Sequence, residues 1–136
     1  MIEIRLPEPV SNSDSALYWK GAVEGHLLLR RCLDCGGTHF MPRYMCPECW
    51  SERLDWFQAS GMGTIYSFTI IWRASDPAFR EAVPYVVALI DLEEGPRMTA
   101  NILGDGALDC AIGDTVSVVF EKRGENSAVP QFELAK

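Results

Sequence analysis

Four cysteines, paired as Cys32-x-x-Cys35 and Cys46-x-x-Cys49 with ten residues between the pairs, restrict this chain more than any other feature. Each pair sits in a turn-forming stretch, Cys35-Gly36-Gly37 in the first and Cys46-Pro47-Glu48-Cys49 in the second. Two short knuckles of this kind can bring four thiolates to the corners of one tetrahedron, which zinc accepts at about 2.3 Å per sulfur. Four sulfurs close the coordination sphere, so the ion is expected to be structural rather than catalytic. Sequence separates zinc poorly from iron in a rubredoxin-like site, and iron stays as the alternative. Two disulfides would need an oxidising compartment, yet Met1 to Pro7 lacks an apolar signal core. A redox pair would explain one Cys-x-x-Cys, not two. The cysteine usage therefore points to a reducing, cytoplasmic setting.

At 136 residues the chain has room for one compact domain, or for a small metal module joined to one modest domain. Hydrophobic residues make up 48% of it without any apolar run near the 18 or so needed to span a bilayer, so a globular, non-membrane protein is expected. The formal charge is −7, and bound thiolates would deepen it. Arg30, Arg31 and Arg43 flank the cysteines and either offset that charge or are ordinary solvated arginines. After Asp55 the bases are Arg73, Arg80, Arg97, Lys122, Arg123 and Lys136, against eleven acids from Asp76 to Glu133. Zinc ribbons often serve nucleic-acid machines, but phosphate neutralisation needs a basic stripe, and none is present. Cys110 lies in the apolar stretch Ala107 to Ile112 and reads as a small buried hydrophobe, not a nucleophile.

The chain starts its regular structure with a short helix. Ser11-Asn12-Ser13-Asp14 supplies N-cap candidates after Pro7 and Pro9, and Ala16, Trp19 and Val23 recur as an apolar stripe before a stop at Gly25. Such a helix is too short to stand alone, so the stripe packs on this chain or docks onto a partner. Leu27-Leu28-Leu29 leads as a short strand into the first knuckle, and Phe40-Met41-Pro42 returns toward the second. Beyond Gly61 the period changes to two. Thr64 to Trp72 alternates Tyr66, Phe68, Ile70 and Trp72 with Ile65, Ser67, Thr69 and Ile71. Tyr85 to Ile90 is a continuous apolar run, expected to be buried on both faces. Arg97 to Leu103, Val116 to Phe120 and Gln131 to Leu134 complete five strands. The predicted fold is mainly β: an N-terminal helical segment over 1–27, a rubredoxin-like zinc ribbon over 28–57, and a five-stranded barrel of the OB type over 58–136. An SH3-like barrel competes for the last part.

The order of these parts resembles the zinc-ribbon/OB-fold family of acyl-CoA-associated proteins, of the domain of unknown function 35 type. The likeness rests on Tyr18-Trp19-Lys20-Gly21, Glu24 to Cys32, Cys35-Gly36 and Cys46-Pro47-Glu48-Cys49, then on Gly61 to Thr69, Pro84 to Arg97 and Ile112 to Phe120. It covers nearly the whole chain, with all four cysteines in place. Membership implies a non-catalytic or co-catalytic subunit in lipid metabolism, paired with a thiolase-like, hydroxymethylglutaryl-CoA synthase-like or hotdog-fold enoyl-CoA hydratase protein. It implies CoA or acyl-CoA as the ligand, with the chain bridging subunits or guiding the thioester.

On that reading the loop between the first two barrel strands faces CoA. Arg73 or Arg80 pairs with phosphate, while Trp72, Phe79 and Tyr85 line the pantetheine path. His26 and His39 have no paired acid or nucleophile visible in the sequence, and His39 is a conceivable metal ligand, though four cysteines already fill a tetrahedral site. No catalytic motif is recognisable, so catalytic residues are not assigned. The competing functions are a nucleic-acid-binding ribbon and a rubredoxin-like iron electron carrier.

Overall fold

The structure, a computed structural model, describes residues 6–135. Lys136 and all but the end of the opening Met1 to Pro7 stretch lie outside the described residues. One helix, α1 (Ala16–Val23), precedes β1 (Leu28–Cys32), β2 (Thr38–His39) and β3 (Leu54–Gln58), which form a three-stranded antiparallel sheet in the order β2-β1-β3. The remaining strands are β4 (Met62–Ile71), β5 (Tyr85–Leu92), β6 (Arg97–Leu103), β7 (Thr115–Arg123) and β8 (Ser127–Leu134). They close a barrel in the order β4-β5-β6-β8-β7. Every barrel pairing is antiparallel except β6 with β8, which run parallel through Ile102 opposite Phe132. This connectivity is the expected OB barrel.

The helix begins where Asn12 and Ser15 exchange hydrogen bonds: the Asn12 side-chain Oδ1 accepts from the Ser15 N–H at 2.8 Å and from its hydroxyl at 2.9 Å. The buried face differs from the expected stripe. Tyr18, Gly21 and Ala22 are buried and Trp19 is half-buried, whereas Ala16 and Val23 are exposed. Two things select that face. Tyr18 has an apolar ring large enough to anchor the helix. Gly21 lets β1 come close, since a Cβ there would stand 2.8 Å from Leu28 Cδ1.

β4 holds the barrel together by pairing with β5 along most of its length and with β7 at its start. An irregularity between Ile65 and Ser67 shifts the register, so one alternation does not run the whole strand. Ile65 is buried before the shift, and Phe68 and Ile70 pack on the core after it, leaving Tyr66 outside. β5 also departs from expectation. It buries Val86, Ala88, Ile90 and Leu92 while Tyr85, Val87 and Leu89 stay half-buried, because a barrel wall has one inner face. β6 has the predicted limits; β7 and β8 are longer than expected, meeting in a hairpin at Gly124 to Asn126.

A single apolar cluster joins the two sheets. Leu27 and Leu29, leading into and along β1, are buried with Ile65, Val86, Ile90, Val116 and Phe132 of the barrel. Polar contacts reinforce the joint. The Thr38 hydroxyl donates to the Glu94 carbonyl at 3.2 Å, and Ser60 donates from its N–H to the Glu94 carboxylate and from its hydroxyl to the Glu93 carboxylate, both at 2.8 Å. On the far side, Asn101 and Gln131 pair through their amides across β6 and β8, and the Asn101 amide also donates to the Val86 carbonyl. Cys110 is buried in the core as expected, and burial pushes its thiol pKa up.

Gly63 marks the tightest point of β4, where a Cβ would lie 2.6 Å from Ile90 Cγ2 and 3.0 Å from the Asp91 carbonyl. Gly63→Ala is therefore expected to destabilise the protein by about 1–3 kcal/mol through overpacking. A urea midpoint equal to that of the parent chain would contradict this.

Candidate metal centre and loop site

Cys32 ends β1 and Cys35 follows in the turn toward β2; Cys46 and Cys49 lie in the loop that leads to β3. The two knuckles share one backbone pattern. In the first, the Cys32 N–H donates to the Gly37 carbonyl and the Gly36 N–H to the Cys32 carbonyl, at 2.8 and 2.9 Å. In the second, Cys46 donates to Ser51 and Trp50 donates to Cys46 at the same two distances. The equivalent positions Gly36 and Trp50 both have left-handed φ, 76° and 65°. Glycine adopts that conformation freely. A tryptophan does not, and Trp50 is the one non-glycine residue with positive φ among the described residues, with a side chain 76% exposed.

The four sulfurs lie within 4.8 Å of one another. Cys32 and Cys49 approach to 3.6 Å, as do Cys35 and Cys46. A disulfide would hold its sulfurs at about 2.05 Å. A tetrahedron with metal–sulfur bonds of about 2.3 Å has edges of about 3.8 Å. The donor set thus fits a tetrahedral metal ion and not a pair of bridges. Cys32 and Cys46 are buried, each 1% exposed, while Cys35 and Cys49 face outward. Backbone N–H groups of Cys35 and Glu48 point at the Cys32 and Cys46 sulfurs at 3.5 and 3.4 Å.

The protons on this quartet are shared unequally. A hydrogen bond from the Cys35 N–H brings the Cys32 thiol down to about 6, outweighing burial. Despite a hydrogen bond from the Ser51 N–H, the Cys49 thiol is pushed up to about 12, chiefly by Cys32 and burial. Sulfurs this close cannot all ionise unaided; a cation in their midst supplies the missing charge and displaces the protons. Outside the quartet the knuckles are also tied directly, through Arg53 to Asp34 at 2.5 Å, Asp34 to Ser51, and the Leu33 N–H to the Arg53 carbonyl at 2.8 Å.

The flanking arginines are engaged with β3. The Arg30 guanidinium lies 4.5 Å from the Trp56 ring and donates to the Leu54 carbonyl at 3.1 Å; Arg31 lies 4.3 Å from Phe57. They fasten β1 to β3 by stacking, and Arg43 is exposed. His39, opposite Arg30 in the sheet, is outside the sulfur cluster. Burial, then Arg30 and Arg43, lowers its pKa, so the ring is neutral at pH 7.

The loop between β4 and β5 carries the other candidates. Trp72, Arg73 and Arg80 come together in a cleft of about 550 Å³ with Ala74, Ser75 and Val83. Trp72 is 66% exposed. Asp76 caps a short turn, Pro77–Phe79, by accepting from the Ala78 N–H at 2.9 Å. This turn sets Phe79 against Tyr85, with ring centroids 5.9 Å apart. Tyr85 faces a neighbouring cleft of about 460 Å³, lined also by Pro84 and by Leu103 to Asp109. The arginines are thus in one cleft and Tyr85 in the next, with Phe79 packed on Tyr85 and lining neither. The unusual backbone of Trp50 was not legible in the sequence; its alignment with Gly36, four residues after the first cysteine of each knuckle, is the signal that would have found it.

Comparison with known proteins adds an independent line. A family model described as the rubredoxin-like zinc ribbon domain of ChsH2 matches residues 19–55, and one described as the C-terminal OB-fold domain of ChsH2 matches residues 56–121. A DUF35 domain-containing scaffold protein of Methanothermobacter thermautotrophicus is 39% identical over 103 residues, which cover 73% of this chain and 77% of that one. A "Probable enoyl-CoA hydratase alpha subunit" of Thermomonospora curvata is 33% identical over 129 residues, covering 95% of this chain. The chain spans only 40% of that relative's length. Among solved structures, a chain of the "Ltp2-ChsH2(DUF35) aldolase" matches with a TM-score of 0.83 and 32% identity, over 94% of this chain and 99% of the other. A DUF35 protein of Sulfolobus solfataricus, 15% identical with a TM-score of 0.66, shares the fold.

Trp50→Gly removes the left-handed tryptophan while losing little buried surface. It is expected to stabilise the metal-loaded protein by about 1–2 kcal/mol in urea unfolding; a loss of stability would show that the indole itself holds the knuckle.

Proposed function

We propose, because the chain belongs to the DUF35 family of zinc-ribbon and OB-fold scaffold proteins, that it is an accessory subunit of an acyl-CoA enzyme and carries no reaction centre of its own. The observation that carries this reading is the match to the Ltp2-ChsH2(DUF35) aldolase chain along nearly its full length. The names of two further relatives agree, an enoyl-CoA hydratase alpha subunit and a benzoylsuccinyl-CoA thiolase subunit of Geobacter metallireducens. The partner on this reading is a thiolase-like or hydratase protein that works on CoA thioesters in the cytoplasm.

Cys32, Cys35, Cys46 and Cys49 would hold one zinc ion, whose contribution is to fix the ribbon and neutralise the thiolates. The family description, a zinc ribbon, supports zinc over iron. The loop cleft is the CoA-facing surface. Arg73 and Arg80 are exposed, and no ion pair engages either among the described residues, which leaves both free to meet phosphate. Trp72 is placed to cover the uncharged arm of the cofactor. Phe79 and Tyr85, which do not line this cleft, would meet the cofactor only beyond it. Oligonucleotide binding is opposed by the acidic surface of the barrel strands and turns.

Co-expression with candidate thiolase-like and hydratase proteins of the same host tests the assembly. A stable complex is expected, with activity on acyl-CoA that neither protein shows alone. A partner equally active and equally stable without this chain would overturn the reading. Within the complex, replacing both Arg73 and Arg80 by Ala is expected to raise KM for acyl-CoA by about tenfold or more, as loss of charged hydrogen bonds predicts. Treating the chain with a strong chelator should release one equivalent of zinc and abolish the near-ultraviolet signal of the ribbon aromatics, because ligation and ribbon folding are coupled.

A further inference from the structure

A groove of about 360 Å³ opens where the helix, the ribbon and the barrel meet. Its walls include Tyr18 and Trp19 from α1, Phe40 and Pro42 from the segment after β2, Met98 from β6 and Pro130 from β8. The volume falls in the range of small-molecule sites, roughly 300–1,000 Å³. No lining residue carries a charge, in a chain where 23% of residues do. That composition rejects phosphate and carboxylate groups and accepts an apolar body.

Two observations point to a ligand rather than to idle surface. Tyr18 is 5% exposed, its ring held edge-on by Trp19 and Phe40 at centroid distances of 4.8 and 5.7 Å. Its phenol makes no hydrogen bond among the described residues, and burial alone raises its pKa. A phenol set in the wall of an apolar groove offers one donor to an acceptor that enters it. Of the other polar residues at the rim, Asn12 and Ser15 are already bonded to each other and Thr99 is exposed to solvent. The groove therefore offers apolar walls with very few free polar groups.

We propose that this groove binds the acyl end of a thioester, taking its chain or ring against Trp19, Phe40 and Met98 and its carbonyl oxygen at the Tyr18 hydroxyl. The proposal rests on the acyl-CoA reading and adds where the acyl group goes; the groove shares no residue with the arginine cleft. Charge thus divides the two sites, the cationic cleft suiting the nucleotide end and the uncharged groove the fatty end.

The test uses the full metal-loaded chain and thioesters without a nucleotide: butanoyl, hexanoyl and octanoyl N-acetylcysteamine. Binding is followed by the NMR signals of the Met98 methyl and the Trp19 indole N–H. Both signals are expected to move, and affinity to rise about fourfold per added methylene until the groove is full. Tyr18→Phe keeps the ring and is expected to weaken binding about three- to tenfold with an unchanged melting temperature. Thioesters that leave both signals unmoved, or that bind with no dependence on chain length, overturn the proposal. So does a groove-filling Met98→Trp chain that binds octanoyl thioester as well as the parent does. Free CoA separates the two readings. CoA perturbing the Arg73–Arg80 loop while the thioesters do nothing rejects the groove alone. Thioesters binding as described, with no enzyme partner and no CoA response, reject the accessory-subunit reading and leave the groove standing.

Discussion

Four sulfurs drawn to one point are what give the first half of this molecule its form. The ribbon sheet consists of two five-residue strands and one of two residues, joined by knuckles rich in glycine and proline. So small a sheet buries too little apolar surface to offset the entropy of ordering its loops. The metal site fixes both knuckles at once. Stacking of Arg30 on Trp56 and Arg31 on Phe57 then holds β3 beside β1, and the exposed Asp34–Arg53 pair adds little. The left-handed Trp50 shows how firmly the ligands dictate the backbone: the second knuckle keeps the geometry of the first even where its residue resists that conformation.

What could be read in the sequence follows from how local each signal is. The cysteine spacing, the β6 strand and the five-strand count rest on short-range patterns, and the structure has them all. The Ala16, Trp19 and Val23 stripe gives the wrong helix face because Tyr18 carries a larger anchoring ring than Ala16 or Val23. The ends of β7 and the start of β8 were hidden by charged and turn-forming residues, Glu121 to Asn126, and by Pro130 in mid-strand. The register shift in β4 leaves no mark in its alternation. It exists because one strand must bend to serve two neighbours in a closed barrel, and closure is a property of the whole chain.

The candidate loop shows a similar split. Aromatic and cationic residues clustered between two strands suggested a binding surface, and Trp72, Arg73 and Arg80 do share a cleft. That Tyr85 would turn to the adjoining cleft, with Phe79 leaning on it, depends on a three-residue turn fixed by Asp76. The groove at Tyr18 lay beyond reach altogether, since its walls come from four separate stretches between residues 10 and 130. Sites assembled from distant segments leave only scattered traces in a linear pattern.

Leu27 and Leu29 belong to the same apolar interior as the barrel, and the Thr38–Glu94 and Ser60 contacts close the seam above them. Ribbon and barrel therefore travel as one cassette. Cohesion of this kind lets evolution move the unit intact, either as a free subunit or spliced into a larger polypeptide, without redesigning its inside. A cut at the linker around Ser60 would instead expose leucines that water cannot tolerate, so recombination there would be punished by aggregation.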